Sequence, residues 1–259
     1  MTSRDFYMIL PSNVDSPEFP DNKTNSYRTS LPTNLELPGW EVAICEITYP
    51  LSWYNLEKEY HFIEAVKTRG DDQNALQIVE LKKIAVKSGI YMNGNLLVQH
   101  LNKQLKIFQF MTRFGYHPIS NKISIKIPRA EKIYLSAKLM VTLGFTKHVL
   151  HGSNNDKFGS ACLDLFLNME NIYVYSDIIK FSLVGNIYAP LLRIVPHEKK
   201  RVVGEYRNIQ FQHQYYLPLN TQNINQIGIF LYDNQGELIK FKSGKVTVVL
   251  HFRKEKQEI

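Results

Sequence analysis

The C-terminal third of this 259-residue chain is a succession of short strand-like segments, each closed by a turn signal. They run from Ile172 to Asp177, Leu183 to Asn186, Ala189 to Pro196, Gln210 to Pro218, Ile227 to Asp233 and Lys245 to Phe252. Short strands separated by turns are what a β-sandwich requires. Successive side chains of a strand point to opposite faces. In the last segment Val246, Val248, Leu250 and Phe252 therefore share one face, and Thr247, Val249 and His251 the other. None of these segments gathers a set of residues arranged for chemistry, which points to a building block rather than an enzyme.

Three strand candidates open the chain: Phe6 to Leu10, Ser26 to Leu37 with an interruption at Pro32, and Trp40 to Tyr49. Pro38 and Gly39 form the turn before the third. Within it Val42, Ile44, Glu46 and Thr48 are expected to oppose Glu41, Ala43, Cys45, Ile47 and Tyr49. The middle changes character. Leu76 to Val86 still reads as strand, but between Asn93 and Thr112 the residues Leu97, Leu101, Leu105 and Phe108 form one stripe of an amphipathic helix. Asn93 or Asn95 can cap its start. Lys122 to Ile127 alternates as a half-exposed strand. A second short helix follows, with Ser136 as N-cap, Leu139, Met140 and Leu143 on one side and Gly144 as its stop.

Residues 58–159 thus read as an α+β unit inserted between 1–57 and 160–259. The flanks supply three strands before it and five after it: Ile172 to Ser176, Leu191 to Val195, Gln210 to Leu217, Ile227 to Tyr232 and Leu238 to Phe252. The last is broken near Ser243 and Gly244, and Asp233 to Gly236 turns the chain between the seventh and eighth. Eight antiparallel strands make a jelly roll. The expected fold is mainly β: an eight-stranded antiparallel jelly-roll sandwich carrying an inserted α+β unit.

No motif in the sequence carries a recognisable chemistry. Eight histidines are scattered apart from His148 and His151, which no Cys or carboxylate cluster adjoins, so they read as loop or surface residues. Cys45 lies in an apolar strand, where a thiol is inert, and both it and Cys162 read as buried free thiols in a reducing compartment. A hydrolase built on Cys162 would need a Cys–His signature that Gly159 to Asp164 lacks. Gly89, Gly94 and Gly115 do not have the spacing of a phosphate cradle. No cofactor and no metal is expected.

Charge is the other broad signal. The net charge of +7 is mild, and basic clusters at His197 to Arg201, Lys240 to Lys245 and Arg253 to Lys256 read as solvated loops and a tail. Nucleic acid is therefore not expected as the main partner. No apolar run is long enough to span a membrane. The N-terminus lacks a signal-peptide core and reaches Pro11 too soon for one, so folding in the cytosol is expected.

Several motifs, in order, resemble a known family. They are Phe19 to Lys23, Ser26 to Thr29 and Leu35 to Leu37, then Trp40 to Pro50 with Trp53, Tyr54 and Asn55. Tyr173 to Asp177, Leu183 to Gly185, Pro190 to Arg193, Gly244 to Val246 and Leu250 to Arg253 complete the set. Together they resemble the minor capsid, or penton, protein of Polinton (Maverick) elements and related adintovirus-like viruses. The resemblance implies a virion protein assembled inside the host cell as a homopentamer at the five-fold vertices of an icosahedral capsid. Its neighbours would be trimers of a double jelly-roll major capsid protein. The resemblance assigns no role to the insert, whose two readings are decoration of the outer vertex surface and attachment to a host receptor. It carries over no catalytic residue.

A five-fold ring uses heterologous interfaces, so each subunit needs two distinct sticky sides. Fifteen Tyr and fourteen Phe suit that demand. Trp53, Tyr54, Leu191, Leu192, Arg193, Tyr215 and Tyr216 are the candidate interface residues. Leu191 and Leu192 must face opposite ways, and Leu192 is taken as the exposed one; Trp40 and Trp53 also suit a place in or near the core. The alternative reading is a jelly-roll binding module that recognises carbohydrate or a host receptor through loop aromatics such as Trp53 and Tyr54.

Overall fold

The computed structural model describes residues 5–14, 17–69, 77–166, 169–197 and 204–255. The chain opens with β1 (Asp5–Pro11), β2 (Ser26–Glu36) and β3 (Trp40–Pro50). Next come β4 (Phe62–Arg69), β5 (Gln77–Ala85), α1 (Gly94–Ile107), β6 (Arg113–His117), β7 (Lys122–Lys126), β8 (Glu131–Leu135), α2 (Ala137–Thr142), β9 (Val149–His151) and β10 (Lys157–Phe158). It finishes with β11 (Asn171–Ser176), β12 (Ser182–Val184), β13 (Ile187–Ala189), β14 (Leu191–Pro196), β15 (Tyr206–Gln210), β16 (Leu217–Pro218), β17 (Asn223–Tyr232) and β18 (Thr247–Lys254).

Two compact units result: Met1–Trp53 with Asn168–Ile259, and Tyr54–Leu167. The second is wider than the 58–159 read from the sequence. Leu56, Leu163 and Leu165 are buried in its core, and the Leu163 N–H donates to the Asn121 carbonyl. These contacts hold residues on either side of the expected boundaries inside the insert.

The first unit is a jelly roll. One sheet runs β1-β18-β3-β15, with β16 also pairing β3, and the other runs β14-β11-β17-β2. Every pairing is antiparallel. Val246, Val248, Leu250 and Phe252 are fully buried between the sheets, as alternation requires. They meet Ile172, Val174, Ile227, Ile229 and Leu231 from the second sheet. Burying a side chain of this size contributes about 1.5–3 kcal/mol.

Three departures from simple alternation matter. In β3 the register shifts opposite Val249 and Leu250, so Val42 and Ile44 face the core before the shift and Ile47 and Tyr49 after it. A bulge of this kind moves a strand's apolar set to its other face, which is why Glu46 and Thr48 do not share a face with Val42. The sixth strand lies at Tyr206–Gln210 and not at Gln210 to Leu217, because Phe211 to Tyr216 leave the ladder for side-chain contacts. The final strand begins only at Thr247, beyond Gly244, whose φ of 85° is left-handed.

The insert combines a four-stranded sheet, β5-β4-β8-β9, with a three-stranded one, β10-β7-β6, and packs α1 against them. Leu97, Leu101 and Leu105 bury the expected stripe of α1, and the Asn93 side chain accepts from the Leu96 N–H at 3.0 Å. The helix ends at Ile107, short of Thr112. Gln109 turns left-handed with φ 58°, and the buried Glu131 carboxylate accepts from the N–H groups of Met111 and Thr112. Ser136 precedes α2 but does not cap it through its side chain; its hydroxyl accepts from the Phe62 N–H and donates to the Tyr60 carbonyl. Leu76, the expected start of the strand that ends at Val86, and the basic residues after His197 fall outside the described residues. Among the described residues no helix is long and apolar enough to cross a membrane.

Two tests follow from this packing. Leu192 is 2% exposed and belongs to the jelly-roll core, whereas Leu191 is half-buried on the opposite face. Leu192→Asp would bury a carboxylate and cost upwards of about 4 kcal/mol. It is expected to abolish the cooperative melt, while Leu191→Asp keeps it; circular dichroism on both variants reads the contrast.

The second test concerns pH. Burial holds His61 below the ordinary histidine value, the Glu57 carbonyl opposing and Lys138 adding to it. At His100 burial again leads, with Lys87 and Lys103 adding, and its Nε2 lies 3.1 Å from the Lys87 N–H that donates to it. Below about pH 6.5 the unfolded chain binds more protons than the folded one, so insert stability is full above that value and falls beneath it. Melting temperature should drop on acidification, and His61→Gln combined with His100→Gln should flatten the drop; an unchanged slope would assign it to other groups.

Candidate assembly interface

The seven candidate interface residues divide into three groups. Trp53 and Leu192 are core. The Trp53 ring stands edge-on to Phe241 at 5.6 Å and to His197 at 5.2 Å and stacks on Tyr49 at 6.3 Å, so it offers no surface to a partner. This also removes Trp53 as a loop aromatic for carbohydrate. Tyr54 is partly exposed but belongs to the insert, and Leu191 is half-buried.

Arg193, Tyr215 and Tyr216 form the third group and are occupied within the chain. The Arg193 guanidinium lies 4.2 Å from the centres of both the Phe211 and the Tyr215 rings. A cation between two aromatic faces is held by both quadrupoles, and burial lowers the Arg193 pKa. Tyr216 grips a second arginine: Arg253 stands 3.3 Å over its ring and bonds Glu41 through Nε at 2.5 Å. The Tyr216 hydroxyl lies 2.6 Å from Nδ1 of His251, whose ring stacks on Tyr7 at 4.3 Å. Burial raises the Tyr216 pKa, with Arg253 opposing. The segment between β15 and β16 is thus clipped to an edge strand of one sheet and to the outer face of the other. Of this group, Tyr215 remains largely exposed.

A cluster of exposed apolar side chains of the jelly roll lies elsewhere. β12 and β13 pair only with each other, around a turn at Gly185 with φ 62°. Phe181, Leu183, Ile187 and Tyr188 are 63%, 66%, 57% and 73% exposed. Such a hairpin is marginal alone, but its base is fixed: Lys180 N–H donates to the Pro218 carbonyl, Ile179 bridges to Leu219, and Ala189 is buried. Gly185 and Asn186 between two apolar pairs was a legible hairpin signal. What no pattern revealed is that both pairs face outward. Tyr7 and Ile9 on β1 form a second exposed apolar pair, on the outer face of the sheet that contains β18.

Among the described residues the cysteines and histidines do not gather into a site. Both cysteines are free; Cys45 donates to the Val249 carbonyl at 3.3 Å and burial raises its pKa. Cys162 is exposed and its Sγ lies 3.5 Å from the Ser120 carbonyl. Among the described residues no three His, Cys, Asp or Glu side chains group as metal ligands.

No protein-family model and no curated protein sequence matches the chain. Solved structures do. Over 96% of this chain and 99% of the other, the structure superposes on the penton protein of mavirus with a TM-score of 0.55 and 12% identity. A chain from the cryo-EM structure of the Sputnik virophage matches over 97% of this chain and 98% of its own length, with a TM-score of 0.47 and 11% identity. Over 96% of its length the chain shares its fold with the mavirus penton protein.

Proposed function

We propose that this protein is a structural subunit of a virion, forming pentamers at the five-fold vertices of an icosahedral capsid and docking there to trimers of a double jelly-roll major capsid protein. The observation that carries the reading is the β12–β13 hairpin: four bulky apolar side chains held out from an otherwise closed jelly roll. Exposed apolar clusters of this kind mark interaction surfaces. A ring built from one repeated contact needs a donor patch and a different acceptor patch. The hairpin serves as the first, and the Tyr7–Ile9 face of β1 as the second. The fold shared with the mavirus penton protein over the whole chain, and the resemblance of the ordered motifs to Polinton penton proteins, support the same assignment. The insert in this reading is the part that attaches to a host surface, and the protein resides in the virion.

Light scattering behind a sizing column, over a range of concentrations, should find a species near five times the 30.2 kDa subunit mass. Leu183→Asp together with Tyr188→Asp should leave a folded monomer, since both side chains are exposed and their loss removes contact area without opening the core. A parent protein that stays monomeric at every concentration and also fails to bind the major capsid protein would sink the vertex assignment. Full-size rings from the double variant would move the contact away from the hairpin.

A further inference from the structure

The net charge of +7 is not shared between the two units. The segments that build the jelly roll hold fifteen Lys and Arg against fifteen Asp and Glu, whereas the insert holds sixteen against nine. The whole excess lies in the insert. From Lys82 to Lys157 the contrast is sharper: thirteen basic residues stand against two carboxylates, Glu131 and Asp156. Glu131 is buried and holds three donors of Met111 and Thr112, so it does little to neutralise the surface. All but two of the thirteen are lysines, and Arg113, one of the two arginines, spends its guanidinium on the carbonyls of Phe110 and Thr112.

At the end of this stretch lies a surface pocket of about 310 Å³ whose lining includes Lys147, His151, Lys157, Phe158 and Ser160. No carboxylate lines it, and among the described residues neither Lys147 nor Lys157 is in an ion pair. The Lys122 ammonium donates to the Ser160 carbonyl at 3.2 Å, adding a third cation at the rim. Phe158 is 56% exposed, its ring 5.2 Å from that of His117. One open aromatic face beside ammonium groups matches a sugar ring that bears an acid group: its C–H face covers the phenyl and its acid meets the lysines. The volume sits at the small end of ligand pockets.

We propose that the insert binds an acidic polysaccharide, seating one acid-bearing sugar in the Lys147–Lys157–Phe158 pocket while the surrounding lysines follow the rest of the polymer. Single-stranded nucleic acid fits less well, because it asks for a row of stacking rings along a basic groove, and here one open ring sits in one pocket. Arginine forks, which suit phosphate, are also scarce. The inference rests on the attachment role proposed for the insert, but it can fail without touching the vertex assignment, which the mass measurement tests separately.

The test passes the full chain over immobilised heparin oligosaccharide, hyaluronan fragments and oligothymidylate at near-physiological salt. Retention on heparin alone identifies sulfate as the acid, retention on hyaluronan alone identifies carboxylate, and retention on both identifies either acid as sufficient; each supports the proposal. K147E combined with K157E should weaken glycan binding by about tenfold or more. Phe158→Ala should weaken it several-fold with no change in melting temperature. The proposal is overturned by no retention on either glycan, by binding to oligothymidylate as tight as or tighter than to the glycans, or by a double variant that binds like its parent.

Discussion

The jelly roll depends on its last strand. β18 lies between β1 and β3, pairing residue by residue with both, and places Val248, Leu250 and Phe252 at the centre of the core. Cys45 reaches across to the carbonyl of Val249, 204 residues away in sequence. Without β18 the first sheet would lose β1 and leave β3, still paired with β15 and β16, with an unpaired edge. The second sheet would then lose Val248, Leu250 and Phe252 from the surface that buries Ile227, Ile229 and Leu231. A large insert is tolerated because the chain is tied on both sides of it. The His197 ring packs on Trp53, where the chain leaves the sandwich, and the His197 N–H donates to the Glu170 carbonyl, just after the chain returns.

The two units also divide the surface chemistry. The jelly-roll segments are balanced in charge and offer apolar groups at a hairpin and on one strand, a surface that copies of a chain can bring together without mutual repulsion. The insert holds the charge excess. The proposed self-association surface and the proposed polyanion surface lie on separate units and can change independently.

Much of the architecture was legible because period-two alternation survives wherever both sheets bury one face, as from Val246 to Phe252. It failed where side chains were recruited for something other than the core. Phe211, Tyr215 and Tyr216 carry the composition of a strand, but their rings clasp Arg193 and Arg253, and such a clasp leaves no periodic trace. The bulge in β3 swapped faces midway, which alternation alone cannot reveal. The interface was harder still to read. Leu192 and Leu183 are the same residue type in equally strand-like settings; one is sealed in the core and the other is 66% exposed, a difference set by pairing partners far along the chain. The helix of the insert, whose stripe and cap are local, was read correctly at its start and overrun at its end by the distant Glu131.

The order of the elements along the chain also sets an order in time. All residues of the insert are consecutive, so its core can close once residue 167 has left the ribosome. The sandwich around it cannot close then, since its first sheet waits for the strand at Thr247–Lys254. Non-local pairings of this sort are slow to form, and domains generally fold as units during synthesis. Newly made chains therefore pass through a stage with a finished insert and an open sandwich. The β1 face proposed above as one half of a subunit contact is completed only by β18, so in that reading a nascent chain joins no ring until β18 has been made.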